Sequence, residues 1–212
     1  MNNRGHFVAG LICATMLAGC GTLNSGQQTL PPATLHPSFN ADRADYDYLI
    51  GPGDSLQIFV WNNPEVSMSV TVRPDGKIST PLMEDLPVTG KTPTQMARQV
   101  EVALAKYVKD PIVTIMVGGF NGPYSEQIRI IGQAARPQSL PYKQHMTLLD
   151  VMIAVGGVTD FADANRVQLA RIVNGQQEVY RVRLDDLVNG GDISANVDMR
   201  PGDILIIPEA WF

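Results

Sequence analysis

The sequence predicts an α+β protein built of two small modules behind an apolar N-terminal segment. Three observations carry this reading. The step Pro-Gly-Asp occurs twice, at Pro52-Gly53-Asp54 and Pro201-Gly202-Asp203, each time followed by an apolar run and then by a tryptophan, Trp61 or Trp211. Short runs alternate apolar and polar residues, the period of half-buried strands, and they are interleaved with segments of helical period. Fifteen Pro and nineteen Gly in 212 residues punctuate the chain with turns.

The bulk composition fits a folded chain, with 44% hydrophobic and 17% charged residues. Net charge is -5 and no block of Lys or Arg is present. A nucleic-acid partner, which needs a basic stripe, is therefore not expected.

The N-terminus begins with Arg4 in a short polar start, followed by an apolar run at residues 7–17. That run is far shorter than the roughly 20 residues of a spanning helix. Small residues then lead into a cysteine, Leu17-Ala18-Gly19-Cys20. This resembles a bacterial lipoprotein signal. The resemblance implies that residues 1–19 are removed and that Cys20 becomes the first mature residue, carrying a thioether-linked lipid. An ordinary secretory signal with a chance cysteine is the alternative. Cys13 would leave with the signal and Cys20 would be capped, so neither a free thiol nor a disulfide is expected. Gly21, standing where an Asp would resemble an inner-membrane retention signal, favours the outer membrane. Residues 20–45, rich in Pro, Ser, Thr and Gln without periodicity, read as a lipidated tether, with a partner-binding peptide as the alternative.

The first module is expected over residues 46–120. In Pro52-Gly53, proline sets φ at the first turn corner and glycine supplies positive φ at the second. Asp54 can accept hydrogen bonds from the turn amides. Leu56, Ile58 and Val60 then alternate as a strand. Met68, Val70 and Val72 alternate likewise, and Pro74-Asp75-Gly76 is expected to fold the chain back as a hairpin into Lys77, Ile78 and Ser79. Thr92, Pro93 and Gln95 form a helix start with a capping box. Met96, Val100, Leu104 and Val108 share one face, with Ala103 and Tyr107 beside it, and Asp110-Pro111 is the expected stop. "PIVTIMVGGF", apolar on both faces, reads as a central strand.

The second module is expected over residues 125–208, with a tail at 209–212. "EQIRIIG" is a short strand and "ARPQSLPY" an irregular turn and bend. Thr147 can cap "LLDVMIAVGG", with Asp150 in its first turn and Gly156-Gly157 as its stop. "NRVQLARIVNGQQEVYRVRL" reads as a hairpin about Asn174-Gly175. A helical turn at Asp185-Asp186-Leu187 precedes the last strand, "VDMRPGDILIIPE". The Pro-Gly-Asp step thus reads as a turn that feeds a buried strand, once at the start of each module.

These segments together resemble a known family. "YLIGPGDSLQIFVW", "VTVRPDGKISTPL", "VTGKTPTQMARQVEVAL" and "PIVTIMV" are similar to the periplasmic domain of bacterial polysaccharide export lipoproteins of the Wza type. "IRIIGQAARPQSLPYKQHMTLLDVMIAVGGVTDFADANRVQLAR" is similar to the soluble-ligand-binding β-grasp (SLBB) module. The resemblance implies a polysaccharide export domain, a small sheet with a packed helix, followed by a β-grasp-like SLBB domain. It further implies a homo-oligomeric ring at the outer membrane, lipid-anchored and facing the periplasm, that conducts exopolysaccharide or capsular polysaccharide without catalysis. The implied partners are the polymer, outer-membrane lipid, and an inner-membrane chain-length regulator, often tied to a tyrosine kinase. Larger family members continue into a C-terminal helix that lines an outer-membrane pore. Here the sequence stops at Phe212, as in the branch found with exosortase-type clusters, so a separate outer-membrane pore protein is expected. Pro208 and the lack of ~10-residue alternating strands argue against a β-barrel.

Residues able to carry chemistry are sparse. His6, His36 and His145 are scattered without metal-ligand spacing. The Gly-Gly pairs at 118–119, 156–157 and 190–191 lack the Lys-Ser/Thr of a phosphate loop. Asp160 and Asp163 read as loop and capping residues, and Asp185-Asp186 as solvent-facing acids near a helix start. No catalytic residue, metal site or cofactor is expected beyond the covalent lipid on Cys20. Two rival readings stay open: a β-grasp module that binds a soluble ligand or glycan, and a periplasmic glycan-modifying enzyme with two convergent acids in a cleft. The Pro-Gly-Asp and Pro-Asp-Gly turns either position subunit contacts or serve turn chemistry alone.

Overall fold

The computed structural model describes residues 28–33 and 46–211. Cys13, Cys20 and most of the expected tether lie outside the described residues. The first described strand, β1 (Gln28–Thr29), belongs to the sheet of the second domain and is taken up with it.

The first domain is a three-stranded sheet with a helix on its inner face. β2 (Ser55–Val60) lies between β3 (Met68–Thr71) and β6 (Val113–Gly118), all antiparallel. Leu56, Ile58 and Val60 are at most 1% exposed while their neighbours face out, as the alternation requires. Each such side chain contributes about 1.5–3 kcal/mol on burial. A one-residue slip would turn all three to solvent, so this term sets the register. Helix α1 (Pro93–Leu104) is closed at its start by the expected box. Gln95 N donates to Thr92 Oγ1 at 3.2 Å, and Thr92 N donates to Gln95 Oε1 at 3.1 Å. Met96, Ala97, Val100 and Leu104 pack into the core.

Three details differ from expectation. The Pro74-Asp75-Gly76 turn forms, but β4 (Lys77–Thr80) pairs with β5 (Met83–Pro87) rather than with β3. β3 is already bound to β2, and beyond it Val72 exchanges hydrogen bonds with Gly53 and Asp54. Pro74 has no N–H to give, and of the ladder only Arg73 N to Lys77 O, 2.9 Å, remains. Second, α1 ends at Leu104, not at Asp110. Tyr107 is exposed, and Asp110 adopts a φ of 47°, which turns the chain so that Val113 N reaches Glu101 Oε1 at 3.0 Å. Third, β6 is an edge strand and β2 is the central one. Thr114 and Met116 therefore face outward.

The second domain is a six-stranded mixed sheet in the order β1-β10-β9-β11-β7-β8. Its further members are β7 (Gln127–Gly132), β8 (Ser139–Pro141), α2 (Leu148–Val155), β9 (Val167–Val173), β10 (Gln176–Val182), α3 (Leu184–Val188) and β11 (Ile204–Ile207). Leu148, Val151, Met152 and Val155 of α2 pack on Ile128, Ile130, Leu169 and Leu205 of the strands, as in a β-grasp. Asn174 and Gly175 both take positive φ, 51° and 79°, so the β9–β10 hairpin closes through the turn type that matches strand twist. Thr147 N donates to Asp150 Oδ2 at 2.8 Å, and Gly156 ends α2 in the left-handed region. Within "ARPQSLPY", expected to be irregular, β8 pairs with β7. Residues 28–33, inside the stretch read as a tether, dock on this sheet instead. β1 pairs parallel to β10, Leu30 packs on the core, and Ala33 N donates to Asn196 O at 2.7 Å.

Both Pro-Gly-Asp steps build the same closed turn before the central strand of a sheet, β2 or β11. The second stands before the last strand of its domain, not at the domain's start. Gly53 and Gly202 take φ of 86° and 84°. Each aspartate N donates to the carbonyl three residues back, and each Oδ2 accepts the N–H of that same residue, Gly51 at 2.8 Å or Arg200 at 2.7 Å. Both aspartates are 0% exposed. They meet their burial differently. Asp54 is held by uncharged donors: Tyr48 OH at 2.6 Å, Asn121 N at 2.7 Å and Gly122 N at 3.2 Å, besides Gly51. Asp203 receives both Nε and Nη2 of Arg171, at 2.9 and 2.7 Å. Each turn is thus closed by its own hydrogen bonds, with the carboxylate out of reach of solvent.

Removing one partner of a buried ion pair strands a desolvated charge, at a cost of about 3–5 kcal/mol. Arg171→Met is expected to lower the unfolding free energy measured in urea by that amount, and Arg171→Met with Asp203→Asn to recover most of it. Burial, and then the bond to Asp54, raise the Tyr48 pKa above its ordinary 10.0. The folded state thus keeps a proton that the unfolded chain releases, so this contribution is complete below pH 10 and fades as pH rises through the raised value. Tyr48→Phe is expected to cost about 0.5–1.5 kcal/mol near neutrality and to flatten the loss of stability above pH 10, read by urea unfolding across pH.

Candidate functional site

The residues singled out for chemistry do not converge. Cys20, His6 and His36 lie outside the described residues. His145 sits in a turn at φ 64°, half-buried. Asp185 accepts from Asn189 Nδ2 at 2.7 Å, and Asp186 from Asn165 Nδ2 at 3.0 Å and Arg183 Nη1 at 2.9 Å, so both acids are spent locally at α3. Among the described residues no group of His, Cys, Asp or Glu is placed to hold a metal ion. No described helix is long and apolar enough to cross a membrane.

Two surfaces stand out. On the outer face of the first sheet, Phe59, Trp61, Ile112 and Met116 are exposed by 42–61%. Trp61 follows β2 directly and its N–H donates to Ile112 O at 2.9 Å, so the four side chains lie along one apolar strip across β2 and β6. Phe59 and Trp61 meet edge to face at 6.4 Å.

The second surface is a pair of clefts on the second domain that share Arg181 of β10. One, about 210 Å³, is bounded by Thr29, Leu30 and Pro32 of the docked N-terminal segment and by Arg183, Ser194 and Val197. The other, about 130 Å³, is bounded by Asp163, Arg166, Gln168, Pro208, Glu209 and Trp211. Arg181 Nε donates to Asn165 O at 2.9 Å, which holds the guanidinium between them. Arg166 pairs with Asp163 at 3.5 Å. The segment after β11 is laid beside residues 161–163 by Asp163 N to Pro208 O, 2.9 Å, and Ala210 N to Phe161 O, 2.8 Å. These bonds place Trp211, 94% exposed, at the rim. Sequence reading noted Trp211 only as an echo of Trp61 and passed over Arg181. β9, β10 and the segment after β11 converge only once the sheet order is known.

Comparison with known proteins agrees with this architecture. The family profile described as polysaccharide biosynthesis/export protein matches residues 42–118, and the SLBB domain profile matches residues 126–207. The chain is 29% identical over 188 residues to the EPS I polysaccharide export outer membrane protein EpsA of Ralstonia nicotianae, covering 76% of this chain and 47% of that protein. It is 24% identical over 179 residues to the capsule polysaccharide export protein BexD of Haemophilus influenzae, covering 76% and 43%. The corresponding figures for the capsule polysaccharide export outer membrane protein CtrA of Neisseria meningitidis are 28% over 172 residues, 72% and 42%. The chain thus spans about half the length of these relatives or less.

Fold and profiles define an α+β protein in which a small sheet-and-helix domain is joined to an SLBB β-grasp. The chain belongs to the polysaccharide biosynthesis/export family of the Wza type.

Ala210→Pro removes the N–H that binds Phe161 O. Read in a Trp61→Phe background, it is expected to lower the fluorescence anisotropy of Trp211 while moving the unfolding midpoint little.

Proposed function

We propose that this chain is a non-catalytic lipoprotein that conducts exopolysaccharide or capsular polysaccharide out of the cell. It works as a homo-oligomeric ring, anchored through a lipid on Cys20 to the outer membrane and facing the periplasm. The observation that carries this reading is the pair of family domains in this order, each with its own core. Relatives named for exopolysaccharide and capsule export support it. The apolar strip at Phe59, Trp61, Ile112 and Met116 supports association, because side chains of this size grouped on one face mark interaction surfaces. The partner of this reading is an inner-membrane chain-length regulator tied to a tyrosine kinase.

Anchor and fold are compatible in reach. Gln28 of β1 follows Cys20 by eight residues, so a lipid on Cys20 stands within roughly 29 Å of the second domain. One chain of lipid holds weakly; two or more hold stably.

Deletion of the gene is expected to abolish secreted polymer while intracellular synthesis continues; secreted polymer of altered chemistry would instead mark an enzyme. Cys20→Ser is expected to move the protein from the outer-membrane to the soluble periplasmic fraction. Native mass measurement of the chain in detergent is expected to show a closed oligomer, and a persistent monomer would favour a ligand-binding module.

A further inference from the structure

We propose that the cleft bounded by Trp211, Arg181, Arg166, Gln168, Asp163 and Glu209 is a subsite that binds one neutral pyranose unit of a glycan. The inference deepens the export reading and rests on it only for the identity of the polymer in the cell.

Three features on this surface carry the argument. The first is the Trp211 indole, a flat apolar plate that is 94% exposed at the cleft's rim, on a backbone tied down by the bonds of Pro208 and Ala210 just before it. A pyranose presents an apolar C–H face of matching kind, and an aromatic plate with a polar edge suits a ligand that is apolar on one side and wet on the other. The second is the charge balance of the lining. Two guanidinium groups face two carboxylates, so the cleft carries no net charge. An anionic ligand would gain little there. Sugar hydroxyls both donate and accept, and the planar forks of Arg, Asp and Glu meet adjacent hydroxyl pairs two bonds at a time. The third is Arg181. Its Nε is anchored on Asn165 O at 2.9 Å, and it forms no ion pair with the described acidic residues. Its remaining N–H groups are available at the point where the two clefts meet.

The volume, about 130 Å³, suits a single ring, and the adjoining cleft of about 210 Å³ continues the path for the next units of a chain.

The test is a titration of the purified full-length chain in detergent with cellohexaose, mannohexaose and a hexamer of galacturonate. Tryptophan emission is followed in a Trp61→Phe background, so that Trp211 is the only reporter. Saturable change with a neutral hexasaccharide is expected, with the dissociation constant at least tenfold higher in Arg181→Gln. Trp211→Ala, in a chain that keeps Trp61, is expected to lose binding measured by calorimetry, with its circular dichroism unchanged. The proposal is overturned by no saturable change with any of the three sugars. It is also overturned by unchanged affinity in Trp211→Ala, by galacturonate binding tenfold tighter than either neutral sugar, or by hydrolysis of a hexasaccharide. Export is read separately, as secreted polymer in the deletion strain. A negative titration with an export-defective deletion removes the subsite alone, and binding with undisturbed secretion removes the export reading alone.

Discussion

A carboxylate shut away from water and returned to the amide three residues before it is the constraint on which this structure turns. It occurs at Asp54 and at Asp203, each 0% exposed, each at the foot of a central strand. A buried charge is tolerated only where its lone pairs are filled. At Asp54 the donors come from the segment before β2 and from residues 121–122, after β6, so the carboxylate ties the two ends of the first domain together. At Asp203 the donor is Arg171 on β9, which also donates to Asp198 O at 2.8 Å, so the carboxylate ties β11 to its neighbour. The same turn thus solves two problems, and the strand it launches has its register set from the first residue.

Much of the fold was legible because it follows from local chemistry. The capping box at Thr92 and Gln95, the left-handed stop at Gly156 and the Asn174-Gly175 turn depend on a few adjacent residues, and each formed as their chemistry dictates. The departures lie where one strand had two candidate partners. β3 could turn back through Pro74-Asp75-Gly76, but its hydrogen bonds were already engaged by β2 and the first aspartate turn. "MEDLP" alternates poorly, so β5 was missed, though it is what β4 needs. β1 was missed for the opposite reason: two residues carry no period at all, and only the waiting edge of β10 defines them as a strand.

The site was less legible than the fold. Its residues come from three stretches far apart in the chain, and none belongs to a motif. Arg181 and Gln168 look like the polar half of ordinary strand alternation. Only the register, in which Arg181 faces Gln168 across β9 and β10, sets them side by side. The Cys20 reading rests on residues outside the described structure, and it stands on sequence alone. The polymer passage proposed above would call for weak, repeated contacts rather than one deep pocket, and the surface of the second domain carries shallow clefts of mixed charge.

The path of the chain has a consequence for how the two domains relate. Because β1 belongs to the second sheet, the chain begins that sheet, leaves to build the whole first domain, and comes back to finish it. The first domain is therefore a cassette spliced into the second, and its two ends meet where Gly51 lies so close to Gly122 that a methyl group on Gly51 would fall 2.0 Å from a backbone carbon. A domain put in its place would need ends of similar spacing, and at this neck the backbone of Gly122 leaves no room for a side chain at position 51.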